Sequence, residues 1–173
     1  METAWALASR HGPMSVTMSQ VAQETGIGRA TLYKYFPDVE SILHARHEHQ
    51  VLDHLGRLTE LKNATVDPQE RLEVVLAAYA KICHHRARHG TAALSALSHR
   101  PERVAGAETQ VLALFEEVLV DAAVAGTVRS DIAAAELAAY CVHALGAAAT
   151  VPSKAAVRRL VSLTLAALSP PDP

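Results

Sequence analysis

The chain has 173 residues, half of them hydrophobic, a fifth charged and seven aromatic, with a formal net charge of −2. That length fits one or two small domains, and that apolar content excludes a disordered chain. A near-neutral balance carries no bulk signature for nucleic acid, so any such claim rests on local geometry. Thirty-three alanines against seven aromatics favour helices over strands, and the fold class read from composition is all-α. The longest apolar stretch, Ala133 to Val151, is broken by Glu136 and His143. No run reaches the ~18 residues of a membrane helix, so no membrane partner is expected. Residues 1–12 lack a basic region followed by an apolar stretch, so no signal peptide is expected. Cys83 and Cys141 lie far apart in apolar surroundings, which argues against a disulfide scaffold and for a reducing cytoplasm.

In chain order, residues 2–11 predict a helix that stops at Gly12-Pro13. Residues 18–25 predict a short helix ending at Gly26, and 29–35 another ending at Phe36-Pro37. Asp38 reads as the N-cap of a longer helix to about Leu61, with Val39, Ile42, Leu43, Arg46 and Val51 recurring at helical spacing. Asn63 to Pro68 is a polar linker and a domain break. At its end Asp67, Pro68 and Glu70 form a helix start signal. Further helices are expected to about His89, over 91–98, from the region after Pro101 to about Ala125, and over 132–149 and 153–168.

The segment from Val16 to Phe36 carries the chemistry. It places two short helices around a Gly26-Ile27-Gly28 turn, with Gly26 supplying a positive φ and Ile27 expected as an apolar plug between the helices. Small Ala22 suits a close crossing, and Leu32 with Phe36 gives the second helix its core face. Arg29, Ala30, Thr31, Tyr33, Lys34 and Tyr35 are left on outward faces, the pattern of a helix-turn-helix whose second helix enters a major groove. Thr17, Ser19, Thr31, Tyr33 and Tyr35 can donate hydrogen bonds to phosphate oxygens, and Lys34 adds a point charge. Arg29 can reach a guanine edge or a phosphate, and helix N-termini near Thr17 and Arg29 favour anions.

This segment resembles the N-terminal domain of the TetR family of bacterial transcriptional regulators. The resemblance runs through Ala4-Trp5-Ala6-Leu7 to Gly12, Val16-Thr17, Val21-Ala22, Thr25-Gly26-Ile27-Gly28 and Thr31-Leu32-Tyr33-Lys34-Tyr35-Phe36-Pro37, and continues at Glu40, Ile42 and Leu43. Gly126 to Ile132 also looks like the junction before that family's penultimate helix. The resemblance implies a helix-turn-helix domain over 1–45, with its first helix truncated at Met1. It implies a helical effector-binding and dimerisation domain over 46–173. It further implies a homodimeric repressor that binds double-stranded operator DNA and is released when a small-molecule effector re-spaces the recognition helices. Two departures stand out. The family's basic N-terminal arm is missing, and Val39 stands where the family commonly has Lys. Residues 1–45 hold three basic groups (Arg10, Arg29, Lys34) against four acidic ones (Glu2, Glu24, Asp38, Glu40), a poor footprint for DNA. The alternative is therefore a helical ligand-binding or protein-interaction dimer with weakened DNA binding.

The last helices are apolar around much of their circumference and need partners on more than one side, which a second subunit can supply. Leu137, Cys141, Leu145, Val157, Leu160, Val161, Thr164 and Leu168 are the expected interface. Tyr79, Cys83, Leu94, Leu97, Phe115, Tyr140 and His143 are candidates for a largely apolar effector pocket. Cys83, His84, His85 and His89, like His44, His47, His49 and His54, invite a metal reading. Arg86 and Arg88 interleave the first group and no acidic residue completes it, so no metal and no cofactor is expected. Gly-rich phosphate loops, a nucleophile elbow and zincin motifs are absent, and Cys141 and His143 point to different helix faces, so no enzyme is expected.

Overall fold

A computed structural model describes residues 1–88 and 101–171, and among the described residues there are helices, short turns and no strand. The helix expected over 91–98 lies outside the described residues. The chain divides into two compact units, one containing Met1–Leu52 and one containing Asp53–Arg88 with the residues from Pro101 onward.

The first unit holds α1 (Glu2–His11), a 3-10 turn (Pro13–Ser15), α2 (Met18–Thr25), α3 (Arg29–Tyr35) and the opening turns of α4 (Val39–Ala64). Helices this short are marginal alone and persist by packing one face together. Ala4, Trp5, Leu7 and Ala8 of α1 supply that face at helical spacing, and Val21, Ala22, Leu32, Ile42 and Leu43 close on it. Thr17 caps α2 in a reciprocal box. Its backbone N–H donates to Gln20 Oε1 at 2.8 Å, and the Gln20 N–H donates to Thr17 Oγ1 at 3.3 Å. Gly26 ends α2 in the left-handed region, φ 67°, which a side chain there would strain. Ile27 is not the expected plug. It is 44% exposed on the outside of the turn, and Val21, Ala22 and Leu32 make the helix contact instead.

Asp38 caps α4 as predicted, with the Ser41 N–H donating to Oδ1 at 2.7 Å. That hydrogen bond, with the Ser41 side chain, holds the Asp38 carboxyl below its usual range. Arg46 sits in the apolar register of α4 because each of its three guanidinium nitrogens has a partner. It lies 4.2 Å from the Trp5 ring centroid, donates to both Glu2 carboxylate oxygens at 2.9 and 3.0 Å, and reaches Gln50 at 3.0 Å.

The second unit holds the rest of α4, then α5 (Pro68–Arg88), α6 (Pro101–Val124), α7 (Ala134–Gly146), a 3-10 turn (Ala147–Ala149) and α8 (Lys154–Leu168). Against α5 pack α6, α7, the 3-10 turn and α8. Its Leu72, Val75, Leu76 and Ala80 are buried with Phe115, Val118 and Leu119 of α6 and Leu137, Cys141 and Leu145 of α7. Asp67 caps α5 with Pro68 at its first position, the Glu70 N–H donating to Oδ1 at 2.8 Å. Gly126, φ 76°, ends α6 in a Schellman arrangement, with Thr127 N–H to Ala122 O and Gly126 N–H to Ala123 O both at 3.0 Å.

Arg71 fixes the α4–α5 connection. Its Nε donates to the Thr65 carbonyl at 2.8 Å, one Nη to the Val66 carbonyl at 3.1 Å, and the other pairs with Asp121 of α6. One side chain thereby satisfies two carbonyls at and just beyond the C-terminus of α4 and ties them to α6. Arg71→Ala is expected to cost about 1–2 kcal/mol, as loss of three charge-assisted bonds made by a largely covered guanidinium does. Urea unfolding checks it, and a loss below about 0.5 kcal/mol would show the clamp to be inert.

His54 provides a pH-dependent contribution. Burial, then the charges of Arg86 and His85, hold its pKa below the ordinary 6.5, with Arg57 adding and Asp53 opposing. The unfolded chain therefore takes up this proton at a higher pH than the folded chain. The stability contributed above about pH 6.5 is lost as pH falls through the folded value. Urea midpoints are expected to drop between pH 7 and pH 5, and His54→Gln is expected to flatten that drop; an equal slope in the variant would remove His54 as a source.

Candidate nucleic-acid interface and effector region

Seven residues make α3, and one apolar side chain anchors it. Leu32 is 7% exposed, while Arg29, Ala30, Thr31, Tyr33, Lys34 and Tyr35 all face outward. Phe36, just beyond the helix, is half-buried against the same core. Tyr33 and Tyr35 are 46% and 69% exposed, which is unusual for large rings with no core role. Each carries a hydroxyl able to donate to a phosphate oxygen. Ser19 and Thr17 are exposed at the start of α2. Thr17 is already committed, since its hydroxyl donates to Gln20 Oε1 at 3.0 Å within the capping box. The predicted residues thus share the first unit and lie on its surface, and the fold needs none of the six on α3 for its core.

The effector candidates separate. Tyr79 and Phe115 meet edge to face, ring centroids 5.2 Å apart at 77°, and Tyr79 hydrogen-bonds Cys83 one turn further along α5. Burial pushes both the Tyr79 hydroxyl and the Cys83 thiol above their ordinary values. Tyr140, 43% exposed, and His143 lie on the outer face of α7 and do not join this cluster. Cys141 and Leu145 take the inward positions of that helix, so the 3.6-residue repeat turns Tyr140 and His143 away. Leu94 and Leu97 lie outside the described residues. A polar cleft of about 330 Å³ lies elsewhere, lined by Lys62, Asn63, Arg71, Glu117 and Asp121, and its charges are paired, Lys62 with Glu117 and Arg71 with Asp121.

The expected interface residues are also corrected. Leu137, Cys141, Leu145, Val157, Val161, Thr164 and Leu168 are each at most 8% exposed within a single chain, and Leu160 is half-buried. All but Leu160 belong to the subunit's own core, which leaves little of their surface for a second subunit to bury. Burial raises the Cys141 thiol to about 12, which leaves it protonated and inert near neutral pH. The outer faces of α7 and α8 present Tyr140 and Leu163, the latter 67% exposed. His84, which the sequence offers only as one of a histidine run, is 7% exposed with its Nδ1 3.0 Å from the Ala148 carbonyl oxygen. Its pairing spans 64 positions, so only the fold reveals it. Among the described residues no group of three or more His, Cys, Asp or Glu could hold a metal ion, and no helix is long and apolar enough to cross a membrane.

A family model described as bacterial regulatory proteins, tetR family, matches residues 1–45, and one described as the C-terminal domain of SbtR-like transcriptional regulators matches 67–170. The chain is 37% identical over 75 residues to an uncharacterised helix-turn-helix-type transcriptional regulator from two strains of Mycobacterium tuberculosis. That match spans 43% of this chain and 37% of the relative's length. In fold, the chain is similar to a TetR/AcrR-family regulator from Thermobifida fusca, with a TM-score of 0.81 at 17% identity over 95% of this chain and 93% of the other. It is also similar to the regulator FadR of Bacillus subtilis crystallised with stearoyl-CoA, with a TM-score of 0.68 at 17% identity over 96% and 92% of the two chains. The two family models together cover both ends of the described fold, and the chain belongs to the TetR family of bacterial transcriptional regulators.

Proposed function

We propose that this chain is a ligand-responsive, DNA-binding repressor that works as a cytoplasmic homodimer. Its helix-turn-helix domain, residues 1–45, binds an operator half-site, and residues 46–173 bind the effector and the second subunit. The observation that carries this reading is the outer face of α3. Six adjacent or near-adjacent residues, Arg29 to Thr31 and Tyr33 to Tyr35, are exposed on a helix held by Leu32. Their chemistry is that of phosphate and base-edge contacts. A fold neighbour crystallised with stearoyl-CoA supports a small-molecule effector for the helical domain. Effector binding re-spaces the two recognition helices and releases the operator, and no catalytic step is assigned to the chain.

The dimer face proposed here is the outer side of α7 and α8, through Tyr140 and Leu163, because large exposed apolar groups there lack a partner within the described fold. The second reading, a ligand-binding or interaction dimer with weakened DNA binding, is favoured by one observation, the three basic against four acidic groups in residues 1–45.

Two measurements test these readings. The intact chain is expected to retard the DNA flanking its own gene at low salt, and no retardation would sink the repressor reading. Replacing both Tyr33 and Lys34 with Ala is expected to weaken binding about equally on all sequences and reduce the salt slope by about one. For the dimer, sedimentation of the chain with both Tyr140→Glu and Leu163→Glu is expected to give monomers, and an intact dimer would move the interface elsewhere.

A further inference from the structure

The second unit buries two polar side chains among its described residues, Thr164 and His84. Thr164 is satisfied within α8, its hydroxyl donating to the Leu160 carbonyl at 3.0 Å. His84 is satisfied on one side alone. A carbonyl oxygen accepts, so the 3.0 Å contact with Ala148 fixes the ring proton on Nδ1, which donates. Nε2 of the neutral ring is then an acceptor. It is fully buried, and no group among the described residues donates to it.

The other neutral tautomer does not relieve this. A proton moved to Nε2 leaves a buried N–H without an acceptor and breaks the bond to Ala148. The acceptor form is the less costly of the two, and buried acceptors in native proteins are nearly always paired. Ala148 belongs to the 3-10 turn packed on α5, so the ring is held at a set angle and Nε2 has a fixed direction. One turn earlier on α5 stands Ala80, fully buried and small.

Resting on the effector-responsive reading above, we propose that His84 Nε2 is the polar anchor of the effector. The effector it selects is an uncharged, largely apolar molecule that presents a hydroxyl or N–H donor. A preset acceptor with no surface exposed to bulk solvent costs little further ordering when the donor arrives. It also discriminates, because a molecule without a donor displaces no penalty and leaves Nε2 unpaired. A plain acyl or alkyl chain therefore lacks the group this site reads.

The test uses the full chain labelled with ¹⁵N at histidine, so that the two ring nitrogens are read directly. Matched probes differ only in the donor: 1-naphthol with 1-methoxynaphthalene, indole with 1-methylindole, cyclohexanol with methoxycyclohexane. The expected result is an unprotonated Nε2 resonance that moves with at least one donor probe and not with its methylated twin. That donor is expected to bind roughly tenfold tighter or more than its twin. His84→Asn keeps an amide donor for Ala148 and removes the acceptor, so it is expected to bind both twins alike. His84→Gln, which restores an acceptor near the Nε2 position, is expected to recover the preference. A protonated Nε2, a resonance unmoved by every donor probe, or a preference that survives in His84→Asn overturns the proposal, and the first two need no variant. Operator retardation is measured in parallel. A chain that binds DNA with an unmoved Nε2 refutes the anchor alone, and one whose Nε2 responds without DNA binding refutes the repressor reading alone.

Discussion

Two turns of helix have no stability of their own in water, so everything presented by α3 depends on how Leu32 is held. That one side chain enters a core built by α1, α2 and α4, and Phe36 secures the exit of the helix beside it. The arrangement frees six neighbouring positions from any structural duty. A longer recognition helix with two or three core residues would have fewer faces to offer. The short helix concentrates exposed hydrogen-bonding side chains, and it needs the rest of the unit to exist before it can fold at all. Ala22, read from the sequence as suited to a close crossing, is buried in the same core as Leu32, and Ala4 and Ala8 of α1 are buried with it.

Polar groups hold the longest helix where apolar packing is thin. α4 has no single apolar stripe along its 26 residues, since Ile42 and Leu43 belong to one core and Leu58 to the other. Asp38 satisfies its first turn, Arg46 braces α1 through Trp5 and Glu2, and Arg71 holds the carbonyls of Thr65 and Val66 just past its end. Each contact is directional, and each acts at an end or on a side where the apolar face changes partner. Such pins set the position of a helix more sharply than a continuous greasy stripe, because charge-assisted bonds have an angle as well as a distance.

Much of this was legible in the residues. Helix starts at Asp38 and Asp67 and stops at Gly26 and Gly126 follow from backbone groups that need a cap or a positive φ, and those needs are local. What periodicity could not tell is who covers an apolar face. Leu137, Cys141 and Val161 read as unpartnered, yet α5, α6 and α8 bury them within one subunit. Tyr140 and His143 read as pocket residues because they are amphipathic, and a rotation of one helical step sends them outward. Ile27 failed for a similar reason: a turn has no face that a spacing rule can assign. His84 was seen only as a member of a histidine run, since the carbonyl that orients it arrives from a distant turn.

The near-neutral charge of residues 1–45 bears on how the proposed DNA contacts work. With three basic groups against four acidic ones, counterion release can supply only a modest share of the binding free energy. The remaining contacts fall to uncharged donors, the hydroxyls of Thr31, Tyr33, Tyr35 and Ser19. A neutral hydroxyl binds phosphate through a short, angled hydrogen bond, whereas an ammonium acts as a point charge over several ångströms. An interface that rests on hydroxyls tolerates salt better and displacement worse. A small change in the spacing of two such helices then breaks most of the contacts at once, which suits a repressor released by a weak structural push. In the proposed repressor, the near-neutral charge of residues 1–45 would make release more sensitive, because affinity would then depend on register rather than on long-range attraction.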